Sequence, residues 1–174
     1  MSITRPFNIK KWIDENRHLL KPPVNNKVVY KDSEFIIMVV GGPNSRKDYH
    51  YNESEEFFYQ LEGDIIVTIQ EDNKAVQVSI KEGDIFLLPP KVPHNPIRFK
   101  DTIGLVIERR RREGEMDGLM WFCENCNTKL YEEKFALNDI ASQFQGIFAK
   151  FYNSEELRTC KSCGHKMEPP PVIS

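Results

Sequence analysis

The chain reads as mainly β, an antiparallel barrel or jelly roll with one helix before it and a helix-bearing, cysteine-rich tail after it. Three observations predict this. Short β-branched or aromatic runs fill the stretch from Lys27 to Arg109: Val28–Tyr30, Phe35–Val40, Phe57–Leu61, Ile65–Ile69, Val76–Ile80, Ile85–Leu88 and Ile103–Glu108. Turn residues separate them, at Gly41-Gly42-Pro43, Glu62-Gly63-Asp64, Asp72-Asn73 and Glu82-Gly83-Asp84; many short strands at such spacing are the pattern of antiparallel barrels and sandwiches. The cysteines, finally, are confined to the last third of the chain as two C-x-x-C pairs.

The elements follow in order. Residues 8–20 predict a helix: Asn8 is a suitable N-cap, and Ile9, Trp12, Ile13, Asn16 and Leu20 recur at 3/4 spacing. Lys21-Pro22-Pro23 stops it, since proline cannot continue the hydrogen-bond ladder. The strand-rich stretch comes next. After Arg112 the composition changes, which divides the chain into residues 1–112, the barrel with its helix, and residues 113–174, an extension. The extension opens on a polar loop, Glu113–Gly118, then Trp121-Phe122 and the first cysteine pair. Residues 138–152 predict an amphipathic helix with Asn138 as cap and Ile140, Phe144, Ile147, Phe148 and Phe151 on one stripe. Pro169–Pro171 closes the chain as a loose tail.

Bulk properties exclude several classes. With 174 residues, 40% apolar content and 11 Phe, the chain can build one core of ordinary size plus an appendage. A formal net charge of −2 gives no general attraction to nucleic acid or to an anionic membrane. The run Arg109–Arg112 is too small a patch on a net-acidic chain to change that, and reads as a solvated rim. No apolar run approaches the ~20 residues that span a bilayer, and Met1-Ser-Ile-Thr-Arg-Pro lacks the apolar core of a signal peptide. The expectation is a cytoplasmic protein.

The chemistry concentrates on His50, Glu56 and His94. Two imidazoles and one carboxylate are the ligand set of the non-haem Fe(II) facial triad, which leaves coordination positions open. Taken singly, a strand histidine is more often packed or exposed than ligating, and Glu56 could be a polar strand entry before Phe57-Phe58. Same-parity residues on a strand share a face, so Arg46, Asp48 and His50 point together if extended, as do His94, Pro96 and Arg98. A barrel can bring both rows and Glu56 to its inner wall. Arg46 and Arg98 could also be surface arginines, and Glu108 could simply pair with one of Arg109–Arg112.

The spacing resembles the cupin superfamily. Gly42, Asp48, His50, Glu56 and Gly63 follow its first motif, with Asp48 in place of a histidine and one extra residue before Glu56. Gly83, Pro89, Lys91, His94 and Arg98 follow the second, with Lys91 in place of glycine and Arg98 in place of asparagine. The loss of the first histidine leaves three ligands, and the last change sets a cation where many cupins carry an amide. Within the cupins the chain resembles the 3-hydroxyanthranilate 3,4-dioxygenase family, in its short single-domain microbial type. The resembling stretches are Trp12–Asn16, Leu20–Asn26, Val40–Arg46, Asp48–His50, Glu56–Gln60, Glu82–Pro90, Val92–His94 and Val106–Arg109.

That resemblance implies a cupin barrel, catalytic Fe2+ on His50, Glu56 and His94, and ring opening of 3-hydroxyanthranilate by O2 to 2-amino-3-carboxymuconate semialdehyde. This product closes spontaneously to quinolinate, on the kynurenine route from tryptophan to NAD. Arg98 is then suited to bidentate capture of the substrate carboxylate, Arg46 to stabilising substrate or oxygen charge, and Glu108 to acid/base work or a hydrogen bond to the substrate's polar edge. Asn26 and Pro96 are expected near the substrate. A different metal-dependent cupin, an aromatic-acid sensor and a zinc-stabilised interaction module are the alternatives.

Cys123, Cys126, Cys160 and Cys163 read as one closed tetrahedral site with a structural role. It resembles a rubredoxin-like knuckle, so Fe or Zn would suit it, and redox-active C-x-x-C is the weaker reading because neither pair sits in a βαβ context. The apolar Trp121-Phe122 and the family together suggest a homodimer.

Overall fold

The computed structural model describes residues 5–22, 25–30, 33–138 and 140–171, with backbone alone for 140–142. Helix α1 (Ile9–Asn16) starts where its cap predicts: Asn8 Oδ1 accepts the Lys11 N–H at 3.0 Å. A 3-10 turn (Arg17–Leu19) follows. Pro23, the second proline expected to stop this helix, lies outside the described residues, as do Val24 and Met1–Thr4.

Eleven strands are described: β1 (Asn26–Val28), β2 (Phe35–Gly41), β3 (Tyr49–Tyr51), β4 (Glu56–Glu62), β5 (Ile65–Glu71), β6 (Lys74–Ile80), β7 (Ile85–Leu88), β8 (His94–Arg98), β9 (Ile103–Arg109), β10 (Asp117–Phe122) and β11 (Lys129–Phe135). They form two antiparallel sheets, ordered β1-β2-β9-β4-β7 and β11-β10-β3-β8-β5-β6. This is the two-sheet jelly roll that the turn spacing predicts. Its core is Phe58, Ile65, Val67, Ile80, Leu88 and Val106, drawn from both sheets. Gly42, the first glycine of the motif, leaves no room for a side chain: a Cβ there would lie 2.0 Å from the Phe99 carbonyl oxygen.

Register shows which side chains face the core. In the first sheet Phe58 pairs with Val106, so Glu56 with Glu108 and Gln60 with Gly104 lie on the same inner face. In the second, Ile65 pairs with Arg98 and Val67 with Pro96, so Arg98, Pro96 and His94 also point inward. The outer face of the five-stranded sheet is covered in part by α1 and the turn after it, where Ile13 and Leu20 pack on Val39 and Ile103. Farther along that face Tyr59, Ile85 and Leu87 stay exposed.

Three features depart from the sequence reading. The first strand lies at Asn26–Val28 and not Val28–Tyr30, because pairing with Val40, Val39 and Met38 sets its position. Strand β10 begins inside the stretch expected to be a polar loop, and β11 lies where no element is expected; β10 pairs with β3 through Leu119 opposite His50, so the chain after residue 112 builds part of the sheet that carries a candidate ligand. Trp121, expected to favour a dimer, is 0% exposed and stacks on Phe151 with ring centroids 4.3 Å apart. It belongs to the core between β10 and helix α2 (Ile140–Tyr152), with Leu119, Phe144 and Ile147, and offers no surface to a second copy. The expected cap Asn138 adjoins residue 139, which is outside the described residues, as is the side chain of Ile140. Helix α3 (Glu155–Arg158) then leads to the second cysteine pair.

Candidate functional site

His50 comes from β3, His94 from the neighbouring β8 and Glu56 from β4 of the facing sheet. His50 and His94 are register partners. One ligand atom from each of the three residues falls in a group whose members all lie within 4.8 Å of one another. The His94 ring is buried, with Nδ1 3.0 Å from the Val92 carbonyl oxygen and Nε2 3.2 Å from Glu56 Oε2. A proton on Nδ1 donated to that carbonyl leaves Nε2 as a lone-pair donor toward the site, the usual arrangement of a metal-ligating imidazole. With His94 protonated instead, burial would still raise the Glu56 carboxyl, but the His94 charge and its Nε2–H, helped by His50 and Arg111, outweigh it and hold the carboxyl at about 2. A carboxylate that stays ionised beside two imidazoles fits a divalent cation.

Glu56 and Glu108 stand opposite each other on β4 and β9, and Asn52 joins them, donating Nδ2 to Glu56 Oε2 at 3.3 Å and to Glu108 Oε2 at 3.1 Å. Burial raises the Glu108 carboxyl, the Glu56 charge adds to this, and Arg111 opposes it. Arg98 is 3% exposed, and its Nη1 has no hydrogen-bond partner among the described residues. Burial pushes its proton affinity down to about 10, partly offset by Glu56. The absence of a side chain at Gly104 makes room for it: a Cβ there would lie 2.9 Å from Arg98 Nη1. A buried guanidinium with an open donor, on the inner row that carries His94, is suited to an anion.

The other predicted residues fall around this centre. Pro96 lies between His94 and Arg98 on the inner row. Asn26 is exposed at the sheet's edge; the register Asn26–Val40–Gly104 puts it in line with the glycine beside Arg98. Arg46 lies outside the strands and ion-pairs with Asp48, which occupies the position of the missing motif histidine. Its guanidinium also sits 5.6 and 5.8 Å from the ring centroids of Phe144 and Phe148, so α2 forms a wall beside it.

Three contributing residues escaped the sequence reading: Asn52, Arg111 and Asp117. Arg111 is not rim. Its side chain is 9% exposed and forms ion pairs with Glu108 at 2.9 Å and Asp117 at 2.6 Å. Asp117 is fully buried and lies 2.7 Å from His50 Nε2. Burial opposes its ionisation, but His50 and Arg111 hold its proton affinity below the usual carboxylate range. The pairing of Glu108 with an arginine of the 109–112 run was foreseeable; its choice of Arg111 was not.

The four cysteine sulfurs form a second group within 4.8 Å, with Cys123 and Cys163 3.6 Å apart and Cys126 and Cys160 3.5 Å apart. The two knuckles match. Asn127 N–H donates to the Cys123 carbonyl and Gly164 N–H to the Cys160 carbonyl, both at 2.9 Å, and Asn127 and Gly164 both take positive φ. Four thiol groups so placed fit one tetrahedral metal.

Comparison with known proteins gives a consistent result. The family model described as 3-hydroxyanthranilic acid dioxygenase matches residues 1–152. A relative from Xanthomonas euvesicatoria pv. vesicatoria (strain 85-10) is 54% identical over 166 residues, 95% of this chain and 93% of its own length. One from Bacillus cereus (strain ATCC 10987 / NRS 248) is 51% identical over 162 residues, 92% and 90% respectively. Both carry the name 3-hydroxyanthranilate 3,4-dioxygenase. Among solved structures, protein NMB1881 from Neisseria meningitidis matches with a TM-score of 0.50 at 18% identity, over 61% of this chain and 100% of that one.

Proposed function

Because the chain belongs to the 3-hydroxyanthranilic acid dioxygenase family, we propose that it is the oxidoreductase that opens the ring of 3-hydroxyanthranilate with O2, giving 2-amino-3-carboxymuconate semialdehyde, the precursor of quinolinate in NAD biosynthesis. The observation that carries the reading at the site is Arg98, a buried cation with an unpartnered donor one strand face along from His94. A substrate with an aromatic carboxylate satisfies that donor, and the ring is thereby aimed at the three-residue set.

His50, Glu56 and His94 hold the metal in this reading, and their donor chemistry suits Fe2+. Bound there, Fe2+ supplies open coordination positions and the redox chemistry that dioxygen needs. Arg98 fixes the substrate carboxylate by a charge-assisted pair. Glu108 meets the hydroxyl and amino edge of the ring as acid/base or hydrogen-bond partner, its buried position favouring a proton that can move. Arg46, charged and backed by Asp48 and the α2 phenyl rings, stabilises negative charge at the mouth. Asn26 and Pro96 flank the substrate.

Residues 1–112 supply the metal ligands and the substrate contacts, and residues 113–174 form an extension that adds β10 and Asp117 to the site's sheet and whose Cys123, Cys126, Cys160 and Cys163 hold a structural Fe or Zn. The enzyme works in the cytoplasm as a homodimer. The exposed Tyr59, Ile85 and Leu87 on the outer sheet face support association of two copies, and light scattering of a Leu87→Lys variant tests it: an unchanged dimer would place the interface elsewhere.

The test of function is oxygen uptake by the Fe(II)-loaded protein with 3-hydroxyanthranilate, with quinolinate followed in parallel. One O2 consumed per quinolinate formed is expected. Tight binding of 3-hydroxyanthranilate without oxygen uptake would replace this reading with a sensor.

A further inference from the structure

The loop between β9 and β10 is closed by two arginine–carboxylate pairs with the same six-residue offset. Arg109 takes Glu115 with Nη1 at 2.7 Å and Nη2 at 2.5 Å, on the outer side. Arg111 takes Asp117 with Nε at 2.7 Å and Nη2 at 2.6 Å, on the inner side. Only the inner pair reaches the site. With two nitrogens committed to Asp117, Arg111 directs its third, Nη1, at Glu108 Oε2, 2.9 Å away. Asn52 donates to that same oxygen. Among the described residues, Glu108 Oε1 is thus left without a hydrogen bond.

We propose that Arg111, locked by Asp117, is a positioning residue for the reaction: it holds Glu108 by one carboxylate oxygen and turns the other toward the substrate. This rests on the function proposed above. A guanidinium is the group that can do so, because its planar fork binds one carboxylate bidentately and still aims a donor at a second. Glu108 is 3% exposed and Asp117 0%, so neither competes with water for it. A purely structural pair would need no contact with Glu108, and Arg109 with Glu115 is that pair in the same loop.

The test is a double-mutant cycle on the Fe(II)-loaded protein, Arg111→Met against Glu108→Gln, with Arg109→Met as the loop control and with iron content and affinity for 3-hydroxyanthranilate under anaerobic conditions measured on each. Loss of one charge-assisted hydrogen bond predicts that Arg111→Met lowers kcat about 10- to 100-fold, with iron content unchanged and anaerobic affinity within about threefold, since Arg98 still anchors the carboxylate. Arg109→Met stays within about twofold of wild type, and adding Arg111→Met to Glu108→Gln makes that variant no worse by more than about twofold. Additive losses, a loss in Arg109→Met as large as in Arg111→Met, or iron lost in proportion to activity would each overturn the proposal. Should Arg111→Met not fold, Arg111→Lys keeps the charge but cannot span both carboxylates, and wild-type activity there would overturn it equally. A wild type that binds iron yet does not consume oxygen fails the function itself, and this inference with it.

Discussion

Replacing Arg98 by methionine should make the free protein more stable and the enzyme far worse. The side chain is a buried cation with an unpartnered Nη1, and its proton affinity is pushed down to about 10 by burial. That displacement corresponds to ~3 kcal/mol of unfavourable free energy for the charged form, and the general cost of an unpaired buried donor, ~1–3 kcal/mol, has the same sign. The folded-state value lies below the unfolded one, so the destabilisation is fully present at neutral pH and fades as pH rises through about 10. Methionine fills much of the volume without the charge. At ~2–4 °C per kcal/mol for a chain of this size, Tm should rise on the order of 2–10 °C at pH 7. In the complex the sign reverses. Removing one partner of a buried, hydrogen-bonded charge pair costs ~2–5 kcal/mol, so kcat/KM for 3-hydroxyanthranilate should fall roughly 30- to 4,000-fold. The assays are thermal melts of the metal-free protein at pH 7 and pH 10.5, and initial-rate oxygen uptake. Unchanged kcat/KM would show that Arg98 does not face the substrate. A fall in Tm would show that its donors are satisfied within the protein.

Other perturbations separate the parts of the site. His94→Ala should remove the metal held by the three-residue set and abolish oxygen uptake, while metal analysis still finds the ion held by the cysteines; two metals per chain in that variant would contradict the ligand assignment. Gly104→Ala should raise KM more than it lowers stability, because the new Cβ lands 2.6 Å from Gln60 Oε1 and 2.9 Å from Arg98 Nη1, both side-chain tips that must move; wild-type KM would mean that Arg98 is not the anchor. Cys160→Ser with Cys163→Ser should strip the cysteine-bound metal and lower the unfolding temperature of the tail, yet keep turnover in the folded, iron-loaded fraction. Loss of turnover in that fraction would assign the distal metal to the chemistry.

How far the sequence reveals this molecule depends on whether a feature is local. His50, Glu56 and His94 are legible because each sits at a fixed offset from a glycine or proline that shapes its own turn. The cysteine knuckles are legible for the same reason, since Asn127 and Gly164 supply positive φ just after each pair. Arg98 follows from strand parity with His94. Asp117 carries no such mark. It sits in a Glu- and Gly-rich stretch, Glu113–Gly118, that has the composition of a solvated loop, and it becomes a site residue only when β10 docks on β3. Arg111 hides among four consecutive arginines, and the alternation that buries it while Arg110 and Arg112 point elsewhere depends on where β9 ends. Trp121-Phe122 misleads for a related reason. An apolar pair beside polar residues suggests an exposed patch, but α2, later in the chain, covers Trp121, and Phe122 on the opposite face packs edge-on against Tyr49.

The docking of β10 also gives a reason for the four-cysteine cluster appended to the barrel. Three register pairs tie β10 to β3, with Leu119 opposite His50, and the inner face of β10 is sealed by α2 through Trp121, Phe144, Ile147 and Phe151. The first knuckle begins at Cys123, directly after β10, and the second follows α2 and α3, so a metal bound by the four cysteines would fasten both ends of the segment that covers this strand. Asp117 at the other end of β10 sits against His50 and Arg111. The strand is therefore held at one end by the knuckle and read at the other by the site. Backbone pairing with β3 and its contacts with His50 and Arg111 keep Asp117 in place, which is why loss of the knuckle should spare turnover in folded protein. The sealed face, however, loses its fastening, so that variant should inactivate at a temperature closer to the one at which its tail unfolds than to the one at which its barrel melts.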